Sequence, residues 1–196
     1  MGWKTIYLTG APSAGKSSVA KKITALQENL AVWEYGARLT DYLNRVGIEI
    51  GSQDDLRTQS SKIITADHIL EVDKLMLIWV SENRRNSHTL IDSHPVTKER
   101  YGYRVTAFST SQIQALNPDE IWVLFTPPEV AVSRISAHAA GRPQVTVEEA
   151  RFHTYLQSSV AINYGISIGK PVYFFDSSKP IDELAQELSS RLKQSV

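Results

Sequence analysis

Short runs of apolar residues alternate along the chain with longer stretches in which apolar residues recur every three or four positions. The runs predict β-strands at Thr5–Thr9, Ala31–Tyr35, Thr89–Asp92, Glu120–Phe125 and Val172–Asp176. Most of them lack the polar alternation of a half-exposed strand. They are therefore typical of strands that are buried on both faces of a parallel sheet.

The longer stretches between the runs predict helices. These are Lys16–Gln27, Ala37–Arg45, a long stretch near Leu56–Arg84, Pro128–Ala139, Val147–Tyr164 and Ile181–Lys193. Alternation of strand and helix predicts an α/β fold of three layers, in which helices cover both faces of a central parallel five-stranded sheet. No internal repeat or linker interrupts the pattern, so we expect a single domain over residues 1–196.

Composition narrows the classes of function. The chain has 21 basic and 21 acidic residues, and this neutrality makes nucleic acid an improbable partner. No apolar run is long enough to span a membrane. Cysteine is absent, which excludes disulfides, and the first strand begins too near Met1 to leave room for a signal peptide. We therefore expect a cytoplasmic protein that does not bind a membrane, while the pattern leaves the oligomeric state open.

One glycine-rich segment carries the strongest functional information. It lies between the first predicted strand and the first predicted helix and reads Gly10-Ala11-Pro12-Ser13-Ala14-Gly15-Lys16-Ser17. This is the P-loop pattern, in which backbone amides and a helix N-terminus surround phosphate oxygens. Lys16 is expected to reach the β- and γ-phosphates of ATP, and the Ser17 hydroxyl to hold Mg²⁺.

Further polar residues follow the predicted strands at the edge where parallel-sheet proteins bind ligands. Asp92 ends a strand, where a carboxylate can position Mg²⁺ or its water ligands, although it can also cap a turn. His94 follows and could contact an anionic or nucleobase substrate, or bind only the backbone of its loop. Arg38 and Arg57 could bind a second phosphate, because a guanidinium binds phosphate through two donors, or they could be solvated.

Three further arginines predict a lid. Arg134 lies on a predicted helix, Arg142 lies in a connection rich in small residues, and Arg151 is near the start of the next helix. A helix-loop-helix of this kind can close over a triphosphate, neutralise its charge and exclude water. The alternative is a solvated helical hairpin.

These residues together resemble an archaeal-type adenylate kinase, a P-loop nucleoside monophosphate kinase, over nearly the whole chain. The resemblance rests on the P-loop and on five further segments: Tyr35-Gly36-Ala37, Asp55-Leu56-Arg57, Asp92-Ser93-His94, Leu116-Asn117-Pro118-Asp119 and the segment around Tyr164. It implies the P-loop NTPase fold with an insertion for the monophosphate at about 36–85 and a short helical lid at about 134–150.

The resemblance also implies a site and a reaction. The residues that would bind the ATP phosphates are Gly10, Ala11, Pro12, Ser13, Ala14, Gly15, Lys16, Ser17 and Ser18. Gly36, Arg57 and the region of His94 would border the monophosphate, and Arg134 and Arg142 would belong to the lid. With Mg²⁺ bound, ATP and AMP would give two ADP.

The chain departs from that family at two positions. Ser13 stands where the family usually has glycine, and Ser158 stands where it has an arginine in the helix after the lid. Arg151 lies two helical turns earlier on the same face and could substitute for that arginine. Two other functions therefore stay open. The first is a small-molecule kinase whose acceptor is an alcohol or another monophosphate; for an alcohol, Asp92 could serve as the base. The second is an ATP-binding regulatory protein with little turnover.

Overall fold

The computed structural model describes residues 2–51, 63–137 and 144–194. Seven strands lie in these ranges: β1 (Thr5–Gly10), β2 (Leu30–Glu34), β3 (His88–Asp92), β4 (Val96–Glu99), β5 (Gly102–Val105), β6 (Glu120–Phe125) and β7 (Val172–Asp176). Five of them form one parallel sheet in the order β2-β3-β1-β6-β7, while β4 and β5 form an antiparallel hairpin. The predicted five-stranded parallel sheet is confirmed.

The same ranges contain seven helices: α1 (Lys16–Leu26), α2 (Tyr35–Arg45), α3 (Ala66–Asn83), α4 (Thr110–Leu116), α5 (Pro128–Ala137), α6 (Val147–Ile168) and α7 (Ile181–Leu192). None of the helices in the described part of the chain is both long and apolar enough to cross a membrane.

Alternate residues of the strands enter two separate cores, because successive side chains of a strand point to opposite faces. Ile6 and Leu8 of β1 pack against α1 and α7 on one face of the sheet. Tyr7 lies between them in sequence and packs on the other face, with side chains of α2, α3, α4 and α6. Both faces are thus covered by helices, which explains why the strand sequences are almost uniformly apolar.

One predicted helix boundary needs correction, and the elements of one region were missed. The helix predicted near Leu56–Arg84 begins at Ala66 within the described residues, where the Thr65 hydroxyl accepts a hydrogen bond from the His68 amide and so caps α3. The hydrophobic pattern predicts no element between Asp92 and Glu120, yet the hairpin and α4 lie there. Their segments are short and mostly polar, so neither has the apolar periodicity that the pattern detects.

Candidate active site

The P-loop joins β1 to α1 through two glycines, one of which has no room for a side chain while the other has a left-handed backbone. A Cβ on Gly10 would lie 2.4 Å from the carbonyl oxygen of Leu124 on β6, because the loop passes against that strand. Gly15 caps the N-terminus of α1 with a φ of 81°, in the left-handed region that glycine adopts without steric penalty. The turn is therefore built from the residues that define the sequence motif.

Ser13 and Arg134 hold the outer part of this loop. Ser13 has a φ of 64°, a backbone conformation that is unfavourable for residues with a side chain. This is a physical reason why the adenylate kinases that the sequence resembles usually have glycine at this position. Arg134 donates hydrogen bonds to the backbone carbonyl oxygens of Ser13, at 3.2 Å, and Ser177, at 2.9 Å. A cationic guanidinium from α5 thus lies directly against the loop.

Lys16, Ser17 and Asp92 meet at the carboxyl ends of β1 and β3. The ammonium of Lys16 donates to the carbonyl oxygen of Gly10 at 2.8 Å, and the Ser17 hydroxyl lies 3.5 Å from Oδ2 of Asp92. Burial raises the pKa of the Asp92 carboxyl, and nearby Glu34 adds to the increase, whereas Lys16 and the Ser17 hydroxyl oppose it. A hydroxyl beside a carboxylate is a pair of oxygen ligands of the kind that Mg²⁺ prefers, so these residues fit the predicted metal site.

Two cavities meet at the P-loop, and Lys16 and Ser17 line both of them. The smaller, of about 380 Å³, lies on the side of Ser13, Gly15 and Ser18 and is also lined by Arg134 and Lys179. The larger, of about 400 Å³, lies on the side of Ala11 and Pro12. Both volumes are in the range of sites that bind small molecules.

Four aromatic side chains form one wall of the larger cavity: Tyr7, Tyr35, Phe108 and Tyr164. Tyr7 contacts the rings of Phe108 and Tyr164 edge to face, and Phe108 stacks on Tyr164. Behind this wall, the Tyr35 hydroxyl donates to the buried carboxylate of Asp73 at 2.6 Å. The wall is thus a fixed apolar surface beside the P-loop.

The hairpin and α6 also supply polar groups to the lining of this cavity. Lys98 forms an ion pair of 3.1 Å with Glu149, and Arg104 forms one of 3.1 Å with Glu99. His153 is buried, and a ring nitrogen, Nε2, lies 3.0 Å from the carbonyl oxygen of Val96. Burial lowers the pKa of His153 to about 4, so this imidazole is neutral at pH 7.

A family model described as an AAA domain matches residues 9–151, which is more than half of the chain. The chain belongs to this AAA-domain family.

Two solved structures share the fold of this AAA domain. A sugar kinase from a Janibacter species is 13% identical with a TM-score of 0.55 over 96% of this chain and 93% of that one. Shikimate kinase from Acinetobacter baumannii, in complex with shikimate, is 14% identical with a TM-score of 0.57 over 97% and 93%. The P-loop kinase fold is therefore confirmed.

Glu34 is a cavity residue of this AAA domain that the sequence did not single out. It ends β2 and pairs in register with Asp92 at the end of β3, and both residues line the larger cavity. Residues paired in register on parallel strands direct their side chains to the same face. No sequence motif marks a glutamate at the end of a strand. Glu34 directly precedes Tyr35-Gly36 at the predicted ligand-binding edge of the sheet, and this position could have indicated that it lines the site.

The structure brings some predicted substrate residues together and separates others. Gly36 and His94 line the larger cavity. Arg38 does not: its guanidinium lies 5.0 Å from the centre of the Trp33 ring, where cation–π attraction holds it on the exposed surface. Arg151 also lines neither cavity, because Glu148 of its own helix at 3.4 Å and Glu129 of α5 at 3.9 Å hold it.

Other predictions fall on residues outside the described ranges. Arg57 and Arg142 both lie there, as do 52–62 of the insertion predicted at 36–85 and 138–143 of the lid predicted at 134–150. The described parts of that insertion are mainly α2 and α3, which pack against each other. The described parts of the predicted lid are the end of α5 and the start of α6.

Proposed function

We propose that this chain is an ATP-dependent phosphotransferase that transfers the γ-phosphoryl group to a small molecule bound in the larger cavity. The observation that carries this proposal is that Lys16 and Ser17 line two cavities, one on each side of the P-loop. Hydrolysis of a nucleotide needs one substrate recess, whereas transfer needs two that meet at the reacting phosphate. The AAA-domain family and the shared fold with two kinases support the same conclusion.

The loop and its neighbours are suited to hold the donor nucleotide. Backbone amides of the turn from Gly10 to Ser18 would cradle the ATP phosphates, and Lys16 would exchange its hydrogen bond with the Gly10 carbonyl oxygen for one with a phosphate oxygen. Arg134, already against the loop at Ser13, would add positive charge on the outer side. Ser17 and Asp92 would hold Mg²⁺, which when bound neutralises charge on the donor phosphates.

The larger cavity is suited to hold the acceptor and to limit the access of water. Its aromatic wall presents an apolar surface beside Lys16, while the hairpin residues Lys98 and Arg104 add polar groups to its lining. Exclusion of water favours transfer to the acceptor over hydrolysis of ATP. Arg142 keeps its predicted role as a lid residue in this proposal.

A nucleoside monophosphate, with AMP first, is the acceptor that the sequence resemblance favours. The observation in its support is that Gly36 and His94, two residues that this resemblance assigns to the monophosphate site, line the larger cavity. Because a phosphate acceptor is already a nucleophile at neutral pH, this reaction would need no general base. Arg57 would be its principal phosphate ligand.

A product assay tests the proposed function directly. Purified protein is mixed with ATP, Mg²⁺ and one acceptor at a time, taken from AMP, CMP, UMP, GMP, dAMP, sugars and amino alcohols, and ADP is resolved by ion-exchange chromatography. We expect one acceptor class to raise ADP formation and the Lys16→Ala variant to abolish the increase.

The matched control is Lys22→Ala, which removes a half-exposed lysine on the same helix that pairs with Asp182 and lines neither cavity. It should leave ADP formation unchanged. If ATP binds and no acceptor raises ADP formation above the level of ATP alone, the chain is a nucleotide-binding regulatory protein, and the proposed phosphotransferase function is wrong.

A further inference from the structure

Two carboxylates stand side by side at the edge of the sheet that faces the larger cavity. Glu34 and Asp92 are partners in the register of β2 and β3, and each is the last residue of its strand. Both residues line the larger cavity. Two like charges held together in a partly buried position are unfavourable unless a ligand uses them.

The two carboxylates have different surroundings. Asp92 is 8% exposed, lies 3.5 Å from the Ser17 hydroxyl and is attracted by Lys16. Glu34 is half-buried, and no hydrogen bond or ion pair to another described residue holds its carboxylate. Asp92 is therefore directed to the P-loop and its metal, whereas the Glu34 carboxylate is available to a molecule in the cavity.

Two of the three cations among the described residues that line this cavity already pair with carboxylates other than Glu34 and Asp92. Among the described residues that line it, the cationic side chains are Lys16, Lys98 and Arg104. Lys98 and Arg104 are already neutralised by Glu149 and Glu99, and Lys16 belongs to the P-loop. A monophosphate in this cavity would therefore meet the Glu34 carboxylate beside two cations that already pair with other carboxylates, and like charges repel each other.

We propose that the acceptor is an uncharged or cationic alcohol and that Glu34 is the catalytic residue that takes the proton from its hydroxyl group. This inference rests on the phosphotransferase function proposed above and replaces the monophosphate acceptor by a different substrate class. Sugars, amino sugars, amino alcohols and nucleosides belong to this class. Their hydroxyl groups donate hydrogen bonds to a carboxylate, and an amino group would be attracted by the pair.

The chemical step is a transfer to the hydroxyl oxygen. The hydroxyl oxygen forms a bond to the γ-phosphorus of ATP while the bond from that phosphorus to the β,γ-bridging oxygen breaks. The electron pair of the broken bond leaves with ADP, and the hydroxyl proton goes to the Glu34 carboxylate. The products are the phosphate ester and ADP, and the proton is later released to water. A base is needed here because an alcohol, unlike a phosphate, is a poor nucleophile while it is protonated.

The test compares Glu34→Gln with Glu28→Gln, a matched variant that removes an exposed carboxylate just before the same strand. ADP formation is measured with each nucleoside and its own monophosphate, with neutral sugars and with amino alcohols. It is also measured without acceptor, where water takes the place of the alcohol. We expect phosphorylation of alcohols and not of monophosphates. Glu34→Gln should lower kcat about 10²- to 10⁴-fold with little change in the KM for ATP, and Glu28→Gln should match the unmodified protein.

Each other outcome has a definite meaning. Phosphorylation of a monophosphate in preference to its nucleoside, or an unchanged kcat in Glu34→Gln, overturns the inference while the phosphotransferase function stands. If no acceptor in the panel raises ADP formation above the level of ATP alone, the proposed phosphotransferase function is wrong and the inference fails with it. If ADP formation does not depend on Lys16 under any condition, the proposed function itself fails and the inference fails with it.

Discussion

Asp73 offers a test of the packing behind the aromatic wall. It lies on α3 with 3% of its surface exposed and accepts hydrogen bonds from the Tyr35 hydroxyl, at 2.6 Å, and the Gln112 side-chain amide, at 2.7 Å. Burial outweighs these two donors and raises the pKa of Asp73 from 3.8 to about 6. The folded protein therefore binds this proton more tightly than the unfolded chain does.

The sign of the effect on stability follows from that difference. Well below pH 3.8 the carboxyl is protonated in both states and imposes no penalty, whereas above pH 6 it is ionised in both states and the folded state carries the full penalty. The difference of about 2.2 between the two pKa values, from 6 − 3.8, corresponds to about 3 kcal/mol at 1.36 kcal/mol per pKa unit. The contribution of Asp73 to stability is thus lost as the pH rises from 4 through 6.

Asp73→Asn removes this titration while it keeps the shape of the side chain. The asparagine oxygen can still accept from Tyr35, but its amide group faces the amide of Gln112, and the loss of that hydrogen bond costs about 1 kcal/mol. We expect the variant to be about 0.5 kcal/mol less stable than the unmodified protein at pH 4, where more than half of the unfolded chains already carry an ionised Asp73, and about 2 kcal/mol more stable at pH 8.

Urea denaturation at pH 4, 5, 6, 7 and 8 measures the free energy of unfolding of both proteins. The control is Asp41→Asn, which changes an exposed carboxylate on α2 and should give a nearly constant difference from the unmodified protein. A difference between Asp73→Asn and the unmodified protein that does not vary with pH, or that favours the variant at pH 4, would refute the assignment of a raised pKa to Asp73.

Three further substitutions test the P-loop, a buried ion pair and a helix cap. Gly10→Ala should lower stability by roughly 1–3 kcal/mol and weaken ATP binding in calorimetry, because its Cβ would lie 2.4 Å from the Leu124 carbonyl oxygen; unchanged binding would contradict the tight approach. Glu120→Gln should lower the free energy of unfolding at pH 7 by about 3–5 kcal/mol, because it deprives buried Lys4 of its anionic partner at 2.8 Å. Urea denaturation measures this loss. A loss under about 1 kcal/mol would mean that the ion pair contributes no more than an exposed one. Thr146→Ala should lower the melting temperature through a loss of about 1 kcal/mol, because the Thr146 hydroxyl accepts from the Glu149 amide at 3.1 Å at the start of α6; an unchanged melting temperature would contradict this.

Much of the fold could be predicted because its determinants are local in sequence. The runs at Thr5–Thr9 and Glu120–Phe125 became strands of a parallel sheet, as their uniform hydrophobicity predicts for strands covered on both faces. The P-loop was equally clear, since its glycines meet steric demands within a few residues of one another. The hairpin β4–β5 was missed, because charged residues such as Lys98 and Glu99 hide its alternation.

By itself, the sequence determined the β-α alternation, the nucleotide loop and the edge of the sheet at which ligands bind, because each depends on neighbouring residues or on a repeating pattern. Only the tertiary structure decided what stands at that edge. It paired Glu34 with Asp92 across two strands and assembled the aromatic wall from β1, α2, α6 and the connection before α4. Cation–π contact and ion pairs drew Arg38 and Arg151 away from the cavity. The reason is physical: a side chain's partners are set by strand register and helix packing, and these join residues far apart in the chain.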